Sequence, residues 1–194
     1  MKTVIIKYNA GNIFSVDAAI KRLGAQSIIT DDKDIIASAD KVIFPGVGAA
    51  GVTMEYLKKT GLDAVIKNLK QPVLGICLGM QLMCRYSAEN DVPCMSIFDV
   101  EVRKFESNSQ KIPHMGWNSL TNIKAPLFDK SLESEYVYFV HSYYVPVCAE
   151  TAAVTDYIQP FSAALCKNNF YATQFHPEKS GSVGEKILKN FLDL

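Results

Sequence analysis

The run Val73-Leu74-Gly75-Ile76-Cys77-Leu78-Gly79 decides the fold. Its first four residues are continuously apolar rather than alternating, which predicts a strand buried on both faces of a parallel sheet. A helix is predicted from Leu78 to Tyr86. A cysteine with glycines two positions before and two positions after it, at a strand-to-helix junction, is the nucleophile-elbow pattern with Cys in place of Ser. We therefore expect Cys77 to project above the edge of the sheet.

Strands and helices alternate through the first ninety or so residues. The predicted strands are Thr3–Tyr8, Gln26–Thr30 and Lys41–Pro45. The predicted helices are Asn12–Leu23, Asp34–Ala39 and Val52–Leu69, the last of them interrupted at Gly61. Apolar residues recur in the first helix at Ile13, Val16, Ile20 and Leu23. This alternation predicts a doubly wound α/β sheet whose N-terminal half is parallel.

The second half of the sequence has a different character, with strands that follow one another at short intervals. They are predicted at Asp99–Phe105, Tyr136–Val145, Thr151–Thr155, Ser162–Cys166 and Phe170–Phe175. Short turns between strands predict mainly antiparallel pairing. A final helix is predicted over Ser182–Leu192, begun by a Ser182-x-x-Glu185 capping box. Since no linker or repeat divides the chain, we expect one domain over residues 1–194.

Composition excludes several classes of function. Hydrophobic residues make up 48% and charged residues 21% of the chain, and 20 basic residues balance 20 acidic ones without forming a basic patch. This argues against a disordered chain and against nucleic acid as a partner. No apolar run approaches the ~18 residues of a membrane span, and the N-terminus lacks a signal-peptide core, so we expect a cytoplasmic protein. Five cysteines without a C-x-x-C pair favour reduced thiols over disulfides or zinc.

Cys77 is the candidate nucleophile. The elbow brings neighbouring backbone close, where glycine fits and larger residues clash, and a helix N-terminus favours a thiolate over a thiol. The alternative is a small buried hydrophobe, as most free cysteines are. That alternative is our interpretation of the other four, Cys84, Cys94, Cys148 and Cys166.

The segment Gln174-Phe175-His176-Pro177-Glu178 supplies a candidate base. In extended backbone, residues two apart share a face, so the Glu178 carboxylate is expected to orient the His176 ring and make it a better proton acceptor. In isolation, the triplet is also compatible with a hydrogen-bonded histidine at a sheet edge. His114 and His141 have no carboxylate two residues away, and we interpret them as structural or interface histidines.

A glycine-rich loop follows the third predicted strand. Pro45-Gly46-Val47-Gly48 lies where open α/β sheets place ligands, and its glycines allow backbone amides to approach a bound carbonyl. We expect the N–H of Val47 or Gly48 to join that of Leu78 in an oxyanion hole. The alternative is a phosphate-binding loop, but the segment lacks the Lys-Ser/Thr of a P-loop and the full G-x-G-x-x-G spacing.

Taken together, P-G-V-G, G-I-C-L-G and H-P-E, in this order, resemble the class I glutamine amidotransferases. Four further segments are similar to the glutaminase subunits of imidazole glycerol phosphate synthases, which serve histidine biosynthesis. They are Tyr8–Asn12, Lys111–Asn118, Tyr138–Tyr143 and His176–Ser180. The resemblance covers nearly the whole chain.

This resemblance implies hydrolysis of glutamine by a Cys77-His176-Glu178 triad, without metal or organic cofactor. The ammonia would pass to a separate cyclase subunit, a (β/α)8 barrel. By position, the residues that would hold glutamine are Gly46, Gln81, Glu89, Ser142 and Tyr143, with Gln81 and Glu89 on the nucleophile helix. The residues that would face the partner are Asn12, Met115, Trp117 and Lys179.

Three other functions remain open. A glutaminase subunit of another pathway, such as one for aminated sugars, purines or pyridoxal, would share the triad and differ in its partner. A peptidase or amide hydrolase with the same elbow would act without a barrel. A non-catalytic regulatory module is disfavoured because Cys77, His176 and Glu178 are all present.

Overall fold

The computed structural model describes residues 2–8, 12–124 and 126–194. Its helices are α1 (Ile13–Arg22), α2 (Lys33–Ala37), α3 (Ala50–Thr60), α4 (Leu62–Asn68), α5 (Leu78–Met83) and α6 (Gly181–Leu192). Its strands are β1 (Thr3–Ile6), β2 (Ser27–Thr30), β3 (Lys41–Gly46), β4 (Val73–Cys77), β5 (Tyr86–Ser87), β6 (Val92–Pro93), β7 (Glu101–Lys104), β8 (His114–Ser119), β9 (Tyr136–His141), β10 (Tyr143–Tyr144), β11 (Thr151–Tyr157), β12 (Gln159–Lys167) and β13 (Phe170–Thr173).

A seven-stranded sheet in the order β11-β12-β13-β4-β3-β1-β2 forms the centre of the molecule. Strands from β13 through β4, β3 and β1 to β2 are parallel, whereas β11, β12 and β13 pair antiparallel. The predicted mixed sheet, with a parallel N-terminal half and a more antiparallel C-terminal half, is confirmed. Strand β13 pairs with β4, and its last residue, Thr173, lies opposite Ile76. The segment that follows β13 therefore begins beside the C-terminal end of β4.

Alternate residues of the central strands belong to two apolar layers. Ile5, Ile43 and Leu74 face the layer that also contains α1 and α6 residues. Val4, Val42 and Val73 face the layer that contains α3, α4 and α5 residues. Because helices cover both faces, the strands need apolar residues at every position, which explains the continuous rather than alternating pattern.

Two smaller sheets lie beside the central one, in the orders β10-β7-β5-β6 and β8-β9. Sequence analysis did not predict β5, β6 or β8, which are short or polar. It predicted one strand over Tyr136–Val145, but the structure divides this stretch at Ser142. The reason is that β9 pairs with β8 while β10 pairs with β7, so the chain changes sheets at this residue.

Two helix boundaries differ from the prediction. Helix α5 ends at Met83 rather than Tyr86, because Cys84 is extended and Tyr86–Ser87 pairs with both β6 and β7. Helix α6 begins at Gly181 with Ser180 as its N-cap, so the predicted capping box at Ser182 is wrong. The predicted break at Gly61 is confirmed, since its φ of 72° separates α3 from α4.

Candidate active site

The elbow at Cys77 is built by close approach of helix α5 to strand β3. Cys77 has φ 54° and ψ −107°, an unusual conformation for a residue with a side chain. A Cβ at Gly79 would lie 2.0 Å from the carbonyl oxygen of Phe44, and one at Gly75 would lie 2.9 Å from Met83 Sδ. Any larger residue at position 79 would push the helix off the sheet. Gly79 is therefore required by packing around the turn that presents the thiol, whereas Gly75 makes room for the Met83 side chain.

His176 and Glu178 face each other across Pro177. His176 Nδ1 lies 2.8 Å from Glu178 Oε1, and both side chains are buried. The backbone N–H of His176 donates to the Tyr138 carbonyl at 3.0 Å, which fixes the start of this segment against β9. Among the described residues, His176 Nε2 has no hydrogen-bond partner. The ring is thus held by one nitrogen and offers the other to a reacting group.

The protonation of His176 is set by its two neighbours, the Cys77 side chain and the Glu178 carboxylate. Burial disfavours the imidazolium, but the closeness of Cys77 and the hydrogen bond with the Glu178 carboxylate raise the pKa of His176 to about 10. Acidic groups on both sides of a histidine favour its protonated form. At neutral pH the ring is therefore an imidazolium and can donate a proton.

Two polar side chains support this pair, and neither was assigned this role from the sequence. Asn12, which has φ 73°, donates its amide to Glu178 Oε1. Sequence analysis placed Asn12 towards the partner; the structure adds a contact with the triad, while the interface role stays a prediction. Ser180 donates to the His176 carbonyl at 2.6 Å and accepts from the Tyr138 N–H at 3.0 Å. The signal for Ser180 was its place in the H-P-E-K-S segment.

A cavity of about 350 Å³ opens over the Cys77 thiol, and His176 also lines it. All but one of the residues predicted for the oxyanion hole and for glutamine line this cavity, namely Val47, Gly48, Leu78, Gln81, Glu89, Ser142 and Tyr143. The exception is Gly46, where an added Cβ would lie 2.6 Å from the Tyr8 hydroxyl and 2.7 Å from the Gly79 nitrogen. Three further lining residues were not predicted: Pro113, Val140 and His141.

Glu89 reaches the cavity from a turn. The prediction that it lies on the nucleophile helix is wrong, because α5 ends at Met83 and Glu89 follows strand β5. Its Oε2 accepts the Ala50 N–H at 2.9 Å, at the first residue of α3. Burial raises the pKa of Glu89, and the hydrogen bond from Ala50 offsets part of this rise. Glu89 thus brings a carboxylate to the wall of the cavity.

The other two histidines form a hydrogen-bonded pair beside the cavity. His114 Nδ1 and His141 Nε2 are 3.1 Å apart, and His141 Nδ1 lies 2.8 Å from the Tyr143 carbonyl oxygen. Burial lowers the pKa of His114 to about 4. Burial also lowers that of His141 to about 3, despite the opposing hydrogen bond to Tyr143. Both rings are therefore neutral, as suits structural histidines.

An apolar surface is exposed on strand β8. Met115 is 63% and Trp117 is 55% exposed, and both lie on the same face of the strand because they are two residues apart. The Trp117 ring packs edge-on against Tyr138, with ring centroids 6.0 Å apart. Lys179, the remaining predicted partner residue, is exposed on the turn Pro177–Lys179. Asn9, Ala10 and Gly11 of the first family-like segment lie outside the described residues.

Residues 2–8, 12–124 and 126–194 show neither a metal-binding group of side chains nor a membrane-spanning helix. They contain no grouping of three or more His, Cys, Asp or Glu side chains suited to a metal ion. None of the helices there has the length and apolar character needed to traverse a bilayer.

Known proteins share the sequence pattern and the fold of this chain. The model of the family "Glutamine amidotransferase class-I" matches residues 4–194. Two solved structures share the fold at 16% identity: a protein described as glutamine amidotransferase (TM-score 0.74, covering 98% of this chain and 97% of the other) and PurLQS from Thermotoga maritima (TM-score 0.71, 99% and 97%). The chain belongs to the class-I glutamine amidotransferase family.

Relatives of higher sequence identity point to one type of subunit within this family. The chain is 65% identical to the imidazole glycerol phosphate synthase subunit HisH of Bacteroides thetaiotaomicron and 63% identical to that of Bacteroides fragilis. Each alignment covers 100% of both chains. The resemblance to this subunit type, predicted from the sequence segments, is confirmed.

Proposed function

We propose that this chain is the glutaminase subunit of an imidazole glycerol phosphate synthase. It would hydrolyse glutamine to glutamate and ammonia and pass the ammonia to a separate cyclase subunit, a (β/α)8 barrel, in histidine biosynthesis. The observation that carries the proposal is that Cys77 and His176 line one cavity while Glu178 binds the far nitrogen of His176. The full-length likeness to subunits named HisH supports the choice of pathway.

The reaction follows from the protonation state of the pair. The Cys77 thiolate attacks the side-chain carbonyl carbon of glutamine, and the carbonyl oxygen becomes an oxyanion next to the amides of Leu78 and of Val47 or Gly48. The His176 imidazolium then gives its proton to the leaving nitrogen, which departs as ammonia, and a γ-glutamyl thioester remains on Cys77. Neutral His176 next takes a proton from water, which attacks the thioester and releases glutamate.

The cavity suits the amino-acid end of glutamine. Both N–H groups of Gln81 are engaged, by the Tyr143 carbonyl at 3.0 Å and by Gln174 Oε1 at 2.9 Å. Gln81 therefore has only its carbonyl oxygen left for a substrate, and an oxygen acceptor fits an α-ammonium group. The Glu89 carboxylate, which lines the same cavity, adds the charge that an ammonium group requires.

The proposed partner surface comprises Asn12, Met115, Trp117 and Lys179. Exposed Met and Trp side chains are enriched at protein–protein interfaces, which supports a docking role for strand β8. We expect Trp117→Ala to weaken the stimulation of glutaminase activity by the cyclase while leaving the thermal stability of the isolated chain nearly unchanged. A variant with normal stimulation at every cyclase concentration would remove Trp117 from the interface.

The test of the function is glutamate release from glutamine, measured with and without the cyclase subunit and its nucleotide substrate. We expect a large rise that needs the cyclase and disappears in Cys77→Ala. The matched control is Cys94→Ala, since burial raises the pKa of the Cys94 thiol to about 11 and makes it unreactive.

Other outcomes separate the alternatives. Release that depends on Cys77 but ignores the cyclase would assign the chain to another amidotransferase pathway or to a stand-alone amide hydrolase. Full release by Cys77→Ala would overturn the mechanism. An absence of release under every condition would favour a regulatory module.

A further inference from the structure

Gln174 is a buried amide that the mechanism above does not use. It lies directly after β13 and two residues before His176, and it is fully buried. Its backbone N–H donates to the Ala163 carbonyl at 2.8 Å, which fixes its place in the sheet. Its side-chain Nε2 lies 3.7 Å from Cys77 Sγ, within hydrogen-bond range for sulfur. The sulfur that attacks the substrate therefore has a neutral amide beside it.

The orientation of this amide follows from its neighbours. The Tyr143 carbonyl can only accept hydrogen bonds, so the group that Gln81 places 3.0 Å from it must be the NH₂ end. The same NH₂ group has a second hydrogen, which it donates to Gln174 at 2.9 Å, and the atom that receives it must be the Gln174 oxygen. The NH₂ end of Gln174 is thereby turned towards Cys77 Sγ.

The Tyr143 carbonyl oxygen also accepts a hydrogen bond from the histidine pair. That oxygen also accepts from His141 Nδ1 at 2.8 Å, so His141 Nε2 is the acceptor of the neutral ring and receives the His114 Nδ1 proton. Every donor in the path from His114 to Cys77 is thus assigned one direction. A flipped Gln174 amide would face Gln81 with N–H against N–H and turn an oxygen towards the thiolate, both of which are unfavourable.

We propose that Gln174 stabilises the Cys77 thiolate by donating a side-chain N–H to Sγ, and that Gln81 holds the Gln174 amide in the donating orientation. An amide N–H is a better partner for a thiolate than for a thiol, because hydrogen bonds to a charged acceptor are stronger. The proposal rests on the proposed role of Cys77 as nucleophile. It gives Gln174 a chemical role, whereas the next residue along the chain, Phe175, packs in the apolar core.

Other titratable groups around Cys77 come from several elements. His176 follows β13 and has Glu178 behind it, and Tyr8 follows β1. The same cavity is also lined by His141 of β9 and Glu89 of the turn after β5. Burial, followed by the negative charge of Cys77, raises the pKa of Tyr8, so that its hydroxyl stays neutral. The variants below leave all five groups in place, so a change in Cys77 reactivity reports on the amide.

The experiment measures the rate at which iodoacetamide alkylates Cys77 across pH, with the modified peptide identified by mass spectrometry. This reaction needs the thiolate but no glutamine, so substrate binding does not enter. In Gln174→Met we expect the midpoint of the alkylation profile to move up by about 1 pH unit, the size of one hydrogen bond to a charged group. Gln81→Met, which frees the Gln174 amide to turn, should shift it in the same direction by less. Gln71→Met is the control, since Gln71 donates to the Ile36 carbonyl on α2.

Cys84 gives an internal check on folding, because its thiol is fully buried and becomes labelled only if the chain unfolds. If Gln174→Met labels Cys84, Gln174→Asn replaces it: the shorter side chain keeps a polar group but withdraws the N–H from Sγ, and the same upward shift is expected. An unchanged Cys77 midpoint in a folded variant would overturn the role of Gln174. That failure is distinct from failure of the proposed function, which is read from glutamate release by Cys77→Ala.

Discussion

Histidines occur in two settings in this molecule, and the settings have opposite effects on the ring. His176 is 1% exposed and has a pKa raised to about 10, while His114 and His141 are 3% and 6% exposed and have pKa values lowered to about 4 and 3. Burial is nearly the same in all three. The difference is the partner: His176 faces a carboxylate and a thiol, and the other two face each other and a carbonyl oxygen.

Partners, and not burial, therefore set the difference in pKa between His176 and the other two histidines. This difference also has consequences for stability. The folded chain keeps a proton on His176 that the unfolded chain releases above about pH 6.5, so this stabilisation is lost as pH rises towards about 10. Conversely, the unfolded chain binds protons at His114 and His141 that the folded chain does not bind. Stability is therefore lost as pH falls below about 6.5.

The largest expected effect comes from removing the carboxylate that distinguishes His176. Glu178→Gln should lower cyclase-stimulated glutamate release by ~10³ to 10⁴-fold, as the equivalent change does in serine proteases, because an amide can hold the ring in the wrong tautomer. The pKa of His176, followed by NMR, should fall, because the negative charge of Glu178 no longer offsets the effect of burial. Glu185→Gln is the control, because Glu185 pairs with Arg22 on the exposed surface. Normal turnover in Glu178→Gln would show that the carboxylate does not define the reactive histidine.

The second effect concerns the neutral pair. Between pH 7.5 and pH 5 we expect urea unfolding to report a loss of about 2 kcal/mol for each of His114 and His141, from protons bound only by the unfolded chain. His114→Gln, which retains a side-chain N–H but cannot titrate, should remove the His114 share of about 2 kcal/mol from the net pH dependence, to which His176 contributes with the opposite sign. A pH dependence of the same size in the variant would mean that other groups cause it.

The third effect tests the support of His176. Ser180→Ala removes a donor to the His176 carbonyl and an acceptor for the Tyr138 N–H, both of them buried. Leaving these groups unpaired should cost about 1 to 3 kcal/mol in the free energy of unfolding. Thermal or urea unfolding measures this, with the exposed Ser182→Ala as control. Equal losses in the two variants would remove the special role of Ser180.

The smallest effect is expected at Asn12. Its amide donates to the same Glu178 oxygen that binds His176, so Asn12→Ala leaves the carboxylate to the histidine alone. We expect glutamate release to fall by roughly tenfold, the lower end of the value of one hydrogen bond to a charged group, because His176 still holds the same carboxylate. The pKa of His176 should stay well above 6.5. A drop of the His176 pKa to about 4, the value of His114, would mean that Asn12, and not Glu178, raises the pKa of His176 above those of the other two histidines.

Sequence reasoning could predict the parts of the site that follow from local rules. A continuous apolar run predicts a parallel strand, the flanking glycines predict the elbow, and residues two apart predict that His176 and Glu178 meet. These inferences need only neighbours along the chain. The close approach of Phe44 to Gly79 is the contact that makes the glycine necessary, and it agrees with the pattern.

The parts that escaped prediction depend on contacts between distant segments. Ser180 sits at an N-cap, but its hydroxyl bonds to β9 and His176 rather than to the helix, so helix rules point to the wrong serine. Glu89 reaches the cavity because β5 ends the nucleophile helix early, and a two-residue strand has no periodicity to detect. The Gln81–Gln174 contact joins residues 93 positions apart, which no local pattern encodes.

The most direct test of the central claim is to trap the intermediate on Cys77. The chain, with the proposed cyclase and its nucleotide substrate, would be mixed with glutamine, quenched in acid within a turnover, digested, and analysed by mass spectrometry. We predict a γ-glutamyl thioester on the Cys77 peptide, absent in Cys77→Ala and accumulating when hydrolysis is slowed. Turnover without any adduct on Cys77, or an adduct on another cysteine, would contradict it.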